Sequence, residues 1–326
     1  MKRIIYACPY IPAEWIAAHN FMPVRIMPGR GETDPFPDIS AGVCHYMQHF
    51  LHNAAVMEKT SAVLFSTVCD QMRRAPECFQ PKEPIPVFLM NVPATWTSIE
   101  PHKLYLSELV RLGRFMQTQG GKPPTQKTLT DIMMDFDRRR STLLSSRSLL
   151  SPRAFSEAVT LFHRSGKIPE GQFKPDYSSI RGTPVGLIGG PLTYSDFSLF
   201  DLIEKAGGYI VLDGTETGER TIPRPFHPQN IRNNPLMELA DAYFGSIPDA
   251  FRRPNSELYR WLKEKIRKRN IQGLIFIRNI WCDIWHGEVQ RMREWLKIPL
   301  LDLDLNGTDP MVRNSTRITA FLELLK

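Results

Sequence analysis

The stretch that decides the fold runs Val63-Leu64-Phe65-Ser66-Thr67-Val68-Cys69-Asp70-Gln71-Met72-Arg73-Arg74. It starts as an apolar run, continues through a short polar step, and opens a helical pattern at the Cys-Asp pair. This order predicts a strand, a turn and a helix, with the Cys69 thiol at the carboxyl end of the strand. Because open α/β sheets bind ligands at the carboxyl ends of their strands, we expect Cys69 to face a ligand.

The same arrangement returns near the other end of the chain. Residues 273–277 (GLIFI) read as a strand, and a short link leads from them to Trp281-Cys282-Asp283. A third cysteine, Cys44, lies in an apolar helical pattern upstream of the first pair. A helix N-terminus favours the thiolate, which is the form that binds metals. We therefore interpret Cys44, Cys69 and Cys282 as candidate ligands, with buried packing cysteines as the alternative.

Composition limits the classes of protein that remain. The chain has 326 residues, 42% of them hydrophobic and 23% charged, which is enough for two domains with their own cores. No apolar run approaches the roughly 18 residues of a membrane span. The first residues enter a strand without a signal-peptide pattern, so we expect a cytoplasmic protein whose five cysteines are free thiols or metal ligands. The net charge of +7 is dispersed, so we predict no nucleic-acid partner and no membrane partner.

Strand and helix patterns alternate in both halves of the chain, which predicts an α/β fold with two Rossmann-like domains, each built on a doubly wound parallel sheet. Residues 1–165 are predicted to form the first domain, with a helical extension over about residues 99–165, and residues 178–326 the second. The polar segment at 166–177 is interpreted as the linker. We expect the helical extension to form a connecting layer, and the strand ends of both domains to face one cleft.

Over most of its length, the sequence resembles the subunits of the 2-hydroxyacyl-CoA dehydratase and benzoyl-CoA reductase family, with the motifs in the same order. The resemblance is carried by the opening YACPYIPAE and MPVR, the motifs STVCD and WCD, the second-domain loops, and the terminal-helix residues Arg317, Phe321 and Glu323. One departure falls in the loop after Asp213, where Glu216 stands at a position that many relatives fill with a further cysteine.

The resemblance implies that Cys44, Cys69 and Cys282 bind a [4Fe–4S] cluster in the interdomain cleft. Three thiolates leave one iron open, and an open iron can act as a Lewis acid on a thioester carbonyl. The implied enzyme is an oxygen-sensitive, anaerobic 2-hydroxyacyl-CoA dehydratase. This lyase removes water from an acyl-CoA substrate by a radical mechanism after one-electron activation. The implied partners are an ATP-hydrolysing activator protein and a homologous second subunit, or a second copy in a homodimer.

Three further residues are candidates for the site. Arg25 and Arg220 are predicted to bind CoA phosphates or a substrate carboxylate, although structural ion pairs explain them equally well. His286, close to Cys282 in sequence, is predicted to transfer a proton in catalysis. Cys8 and Cys78 are interpreted as structural.

Two alternatives remain for the function and one for the metal. The first alternative function is that of a benzoyl-CoA reductase-type or electron-relay subunit of the same family. The second is that of a cluster-free two-domain protein that binds a ligand or assists assembly. His45, His49 and His52 share one helix face and are weighed as a zinc site. No carboxylate at useful spacing completes that set, so a packing or hydrogen-bonding role is favoured for them.

Overall fold

A computed structural model describes residues 1–27, 42–169, 182–305 and 310–326 of the chain. Within these ranges, eight strands form two parallel four-stranded sheets with flanking helices, so the predicted α/β fold with two Rossmann-like units is confirmed. The first sheet has the order β2-β1-β3-β4, from β1 (Arg3–Tyr6), β2 (Met22–Arg25), β3 (Thr60–Ser66) and β4 (Val87–Met90). The second has the order β6-β5-β7-β8, from β5 (Thr183–Gly189), β6 (Gly208–Gly214), β7 (Gly273–Asn279) and β8 (Leu300–Leu305).

The two sheets repeat one topology. In each, the first strand of the half lies between the second and the third, so the direction of sheet growth reverses beside that strand. Such reversals are the switch points at which open α/β sheets bind ligands. Cys69 follows β3 and Cys282 follows β7, which are the equivalent strands of the two sheets. The recurrence of the Cys-Asp pair therefore reflects a recurrence of position in the fold.

The central strands are apolar along their length because helices cover both faces of a parallel sheet. The last five residues of β3 are all buried, and so are the first five of β7. At the edge of the first sheet, β4 alternates between exposed and buried residues. Each sheet thus carries its Cys-Asp pair after a buried strand, which holds the pair in a fixed place.

The helices lie around these sheets and between them. Those of the first half are α1 (Ala13–Ala18), α2 (His45–Val56), α3 (Asp70–Cys78), α4 (Ile99–Thr118), α5 (Gln126–Ser145) and α6 (Pro152–Ser165). Those of the second are α7 (Ser198–Lys205), α8 (Pro228–Asn233), α9 (Pro235–Ser246), α10 (Ser256–Lys268), α11 (Asp283–His286), α12 (Glu288–Trp295) and α13 (Pro310–Leu324). None of the helices in the described ranges is long and apolar enough to cross a bilayer.

A segment of the second half contributes to the core of the first. Apolar residues between 226 and 251, most of them on α9, are buried in one cluster with residues of β1, β3, α1 and α4. Helix α9 packs against both α4 and α5. The predicted boundaries at 1–165 and 178–326 stay a prediction, and most of the predicted linker, from residue 170 onward, lies outside the described residues.

A buried polar network fastens this segment to the first half. The Glu14 carboxylate accepts hydrogen bonds from Arg140 Nη2 at 2.7 Å and from the Tyr243 hydroxyl at 2.6 Å. Arg140 also donates to Asp137 Oδ1 at 2.9 Å. Glu14 and Arg140 are almost fully buried. The network therefore joins α1, α5 and α9 through charges that have little access to water.

One backbone position on the way to the site requires glycine. Gly189 ends β5 with φ of 145°, and a Cβ there would overlap the carbonyl oxygen of Ile277 on β7. Gly189→Ala is expected to lower the free energy of unfolding by about 3 kcal/mol, since backbone strain and overlap add. Urea denaturation followed by circular dichroism measures this.

Gly207→Ala is the matched control for that substitution. Gly207 also has positive φ, at 90°, but nothing lies within 4 Å of its Cβ position. It should lose only the strain, about 1–2 kcal/mol. Equal losses in the two variants would mean that the close approach to Ile277 is unimportant.

Candidate functional site

A pocket of about 100 Å³ lies where the carboxyl ends of the two sheets meet. That volume accommodates several water molecules. Residues of both halves line it, from the loops that follow β1, β3, β5, β6 and β7. These loops include both switch points, so the pocket lies where this topology binds ligands. Its polar lining includes Cys8, Cys44, Cys69, Glu216, Asp249, Asn279 and Cys282.

The structure brings Cys44, Cys69 and Cys282 together at this pocket, each at the start of a helix. Cys44 is the N-cap of α2, and its Sγ accepts a hydrogen bond from the Met47 N–H at 3.4 Å. Cys69 caps α3 in the same way and accepts from Met72 N–H at 3.4 Å. Cys282 immediately precedes α11. Cys44 was expected inside its helix, but the helix begins one residue later and leaves the thiol at its end.

Burial controls the protonation of these thiols. It raises the pKa of Cys44 to about 11 and that of Cys282 to about 12, and it holds the pKa of Cys69 well above its ordinary value. The nearby helix N–H groups lower each pKa, but not enough to offset burial. The charges of Cys44 and Cys282 further raise the pKa of Cys69, as expected for thiols that line one pocket. Metal binding would displace the thiol protons, since a bound cation supplies the missing positive charge.

The donor set fits a cluster better than a single ion. In the described part of the chain, no three or more His, Cys, Asp or Glu side chains are grouped so as to hold one metal ion, and this includes His45, His49 and His52. In an iron–sulfur cluster each cysteine binds a different iron, so the thiolates surround the cluster instead of meeting at one point. Three thiols from three separate segments around one pocket fit that requirement. Their role as ligands stays a prediction.

Glu216 is a pocket residue that the sequence did not single out as a site residue. Its Oε1 lies 3.7 Å from Arg25 Nη2. Burial and the charge of Asp249 raise the pKa of Glu216 to about 7, while Arg25 and Arg220 lower it. Its negative charge in turn raises the pKa of each cysteine in the pocket, which are Cys8, Cys44, Cys69 and Cys282. Glu216 therefore lies within electrostatic reach of every thiol of the site.

Arg25 and Arg220 are buried behind the pocket wall. Arg25 Nε donates to Ala7 O at 2.7 Å. Arg220 donates to Gly214 O, Pro248 O and Asp249 Oδ2 at 2.8, 2.8 and 2.6 Å, and its guanidinium lies 4.9 Å from the centre of the Trp285 ring. Both guanidinium groups are engaged within the protein, which favours the structural alternative. Substrate binding by either arginine stays a prediction.

The side chain of His286 is exposed and lies outside the pocket lining. Its Nδ1 is 2.9 Å from Arg278 Nη1. The preceding residue, Trp285, is buried against the second sheet. His286 is the next residue on α11 and lies on the solvent side of this short helix. The backbone N–H of His286 donates to Cys282 O at 2.9 Å, but the imidazole is not part of the pocket lining. Catalysis by His286 therefore stays a prediction.

Two more pocket residues were missed from the sequence. Cys8, interpreted there as structural, lines the pocket directly after β1. Asn279, the last residue of β7, is 2% exposed and donates from Nδ2 to Pro191 O at 3.0 Å. Its Oδ1 has no hydrogen-bond partner within the described residues. An unpaired buried acceptor costs about 1–3 kcal/mol, which a ligand donor would recover. The feature of the sequence that could have identified Cys8 and Asn279 as site residues is their position at the end of a strand.

His163 on α6 supports the loop that carries Glu216. Its Nε2 lies 3.1 Å from Gly218 O and 3.3 Å from Thr221 Oγ1. Burial and the positive charge of Arg25 lower the pKa of His163 to about 3. The ring is therefore neutral in the folded protein, whereas the unfolded chain takes up a proton near pH 6.5.

This difference predicts acid sensitivity. The depressed pKa contributes stability that is complete above about pH 6.5 and is lost as the pH falls toward the folded pKa. Between about pH 7.5 and about pH 5, the unfolding free energy of the native protein should fall by about 2 kcal/mol more than that of His163→Gln, which does not titrate. Urea titrations at the two pH values measure both losses. Identical losses would mean that His163 is protonated in the folded state.

The comparisons with known proteins place the chain in a family. No curated protein matches it significantly. Among solved structures, it matches "Structure of the SBP FpvC in complex with Ni2+ ion from P.aeruginosa" at 13% identity with a TM-score of 0.25, covering 100% of this chain and 98% of that one. The family model described as "2-hydroxyglutaryl-CoA dehydratase, D-component" matches residues 8–325. Because that match spans nearly the whole chain and includes both Cys-Asp pairs, the chain belongs to the 2-hydroxyglutaryl-CoA dehydratase D-component family.

Proposed function

We propose that the chain is a subunit of a [4Fe–4S] 2-hydroxyacyl-CoA dehydratase, a lyase that removes water from a 2-hydroxyacyl-CoA thioester by a radical mechanism after one-electron activation. The observation that carries this proposal is the meeting of Cys44, Cys69 and Cys282 at one pocket between the two sheets. Family membership supports a dehydratase component. A bound cluster would supply a one-electron carrier and a Lewis-acidic iron.

The residues of the chain then have distinct tasks. The three cysteines hold the cluster as thiolates from three helix starts. Aromatic side chains form much of the remaining wall and exclude water, which strengthens electrostatic interactions inside the pocket. They are Tyr10, Tyr46, Phe251, Trp281 and Trp285. Asn279 Oδ1 offers a free acceptor to a hydroxyl or amide of a ligand.

The proposal includes partners and a compartment. An activator protein that hydrolyses ATP would deliver the electron, and a homologous subunit or a second copy of the chain would complete the enzyme. All five cysteines are free, which suits the reducing cytoplasm.

One observation favours an electron-relay subunit as the second candidate. Arg25 and Arg220, the predicted anchors for CoA or a substrate carboxylate, are buried and bonded to the protein's own groups. A relay subunit needs the three thiols but no thioester site.

Iron and acid-labile sulfide analysis of protein purified without oxygen tests the proposal. We expect about four irons and four sulfides per chain after reconstitution. A content far below that value would instead support the cluster-free ligand-binding or assembly protein.

Addition of a 2-hydroxyacyl-CoA separates the two cluster-bearing candidates. A dehydratase subunit should show a change in the electron paramagnetic resonance spectrum of its reduced cluster, because the thioester binds beside it. An unchanged spectrum in the presence of the assembled partner subunit would favour the relay role.

A further inference from the structure

We propose that Glu216 supplies a fourth, carboxylate ligand to the cluster held by Cys44, Cys69 and Cys282. This inference rests on the proposed function and extends it to a residue outside the cysteine motifs. Glu216 lines the same pocket as the three thiols, on the loop after β6. Its charge interacts with each of the three. The carboxylate and the three thiols therefore belong to the lining of one pocket.

The carboxylate of Glu216 is available for such a bond. Its closest cation is Arg25, at 3.7 Å from Oε1, which is longer than a hydrogen bond. Within the described residues, no hydrogen bond to either carboxylate oxygen is found, whereas Asp249 in the same pocket accepts from Arg220 at 2.6 Å and from the Phe251 N–H at 3.0 Å. Glu216 therefore differs from Asp249 in that its oxygens accept no hydrogen bond within the described residues.

The backbone of Glu216 is nevertheless fixed. Its N–H donates to Gly190 O at 3.3 Å, and its carbonyl accepts from Thr221 Oγ1 at 2.8 Å and from Arg25 Nη2 at 3.4 Å. A ligand that is held in place before binding loses less conformational entropy when it binds. The loop thus fixes the backbone that carries the carboxylate, while the carboxylate keeps only its long ion pair with Arg25 among the described contacts.

Asn279 gives an independent indication that the pocket is built for a ligand. It is 2% exposed, it lines the pocket, and its Oδ1 has no partner in the described part of the chain. Its Nδ2 is committed to Pro191 O, so the free atom is the acceptor. A buried amide oxygen thus remains unsatisfied in a pocket whose thiols suit iron.

The chemistry of a carboxylate distinguishes it from a fourth thiolate. Oxygen donors are harder than sulfur donors and hold iron of a thiolate cluster less tightly. Glu216 can therefore occupy the fourth position and yield it to an oxygen of an incoming ligand. Arg25, 3.7 Å away, would then face the released negative charge. The exchange moves one oxygen donor out and another in, with no change in electron count.

Loss of one iron on mild oxidation tests this assignment. Native protein and Glu216→Gln are reconstituted without oxygen and treated with ferricyanide, and the three-iron product is followed by electron paramagnetic resonance. Glu216→Gln should lose its fourth iron at least about tenfold faster, because loss of a ligand should weaken metal binding at least as much as loss of an outer-shell partner, which costs about ten- to hundredfold in affinity. Glu216→Cys should resist the loss, since a thiolate holds iron more tightly.

Asp70→Asn is the control for loss of one negative charge at the pocket. Asp70 lines the pocket but is 72% exposed and paired with Arg73 at 2.7 Å. Its rate should match that of the native protein. If Glu216→Gln and Asp70→Asn both lose iron at the native rate, Glu216 is not a ligand, and the dehydratase proposal stands. If the native protein forms no cluster at all, both proposals fail.

Discussion

Cys69→Ser is expected to abolish the cluster or to leave only a small fraction of the native iron content. The serine hydroxyl is far less acidic than a thiol, so it rarely provides the anionic donor that an iron–sulfur cluster needs. The helix itself should survive, because serine is a favoured N-cap and can accept the hydrogen bond that Cys69 now accepts from Met72. Iron, acid-labile sulfide and visible absorption after reconstitution measure the loss, and far-ultraviolet circular dichroism confirms that the fold persists.

Cys78→Ser is the matched control. Cys78 is the last residue of the same helix, α3, and it is exposed. Its removal should leave the iron content and the absorption spectrum as in the native protein. A Cys69→Ser protein with full iron and an unchanged spectrum would show that Cys69 is a packing residue.

The stretches around the two Cys-Asp pairs predicted the fold because each contains a buried strand followed by the start of a helix. A parallel strand covered on both faces is a continuous apolar run, and a helix start after it leaves little choice of structure. The order of strands repeats in the two sheets, so the pairs come to equivalent switch points. Each pair therefore lies at a strand end that can face a ligand, and the packing of the two halves brings Cys69 and Cys282 to one pocket.

Other parts of the site depend on contacts that no local pattern reveals. Arg220 faces the protein because the carbonyl groups of Gly214 and Pro248 accept its hydrogen bonds. The positions of these carbonyl groups depend on the folded backbone and cannot be predicted from the sequence. Glu216 lines the same pocket as the thiols because β6 lies beside β5, although Glu216 and Cys282 are far apart in sequence. Sequence spacing carries no information on such long-range contacts.

The segment at 226–251 shows the same limit on a larger scale. Its helical patterns are visible in the sequence, but its burial against α4 and α5 depends on the whole chain. It also brings Asp249 and Phe251 to the pocket. Helix α9 therefore links the stability of the first half to the shape of the site, and the contact that fastens it is the Glu14 network.

Arg140→Met is expected to lower the free energy of unfolding by about 4 kcal/mol, because it leaves the buried Glu14 carboxylate without its cation. Glu14 is fully buried and, among its side-chain contacts in the described part of the chain, would keep the hydrogen bond from Tyr243. Arg138→Met, two residues earlier on α5, removes an ion pair whose arginine is 73% exposed. That control should cost less than about 1 kcal/mol. Urea denaturation of the cluster-free proteins measures both.

The double variant Glu14→Gln/Arg140→Met distinguishes a lost attraction from a stranded charge. If the cost of Arg140→Met arises mainly from an unpaired buried carboxylate, replacing that carboxylate by a neutral amide should recover a large part of it, since most of the penalty for breaking a buried pair is the uncompensated charge. Helix α9 should then keep its native packing against the first half, and the pocket residues Asp249 and Phe251 should keep their positions. A double variant as unstable as the sum of its two single variants would show that the charges act independently, and the network would not be what fastens α9 to the first half.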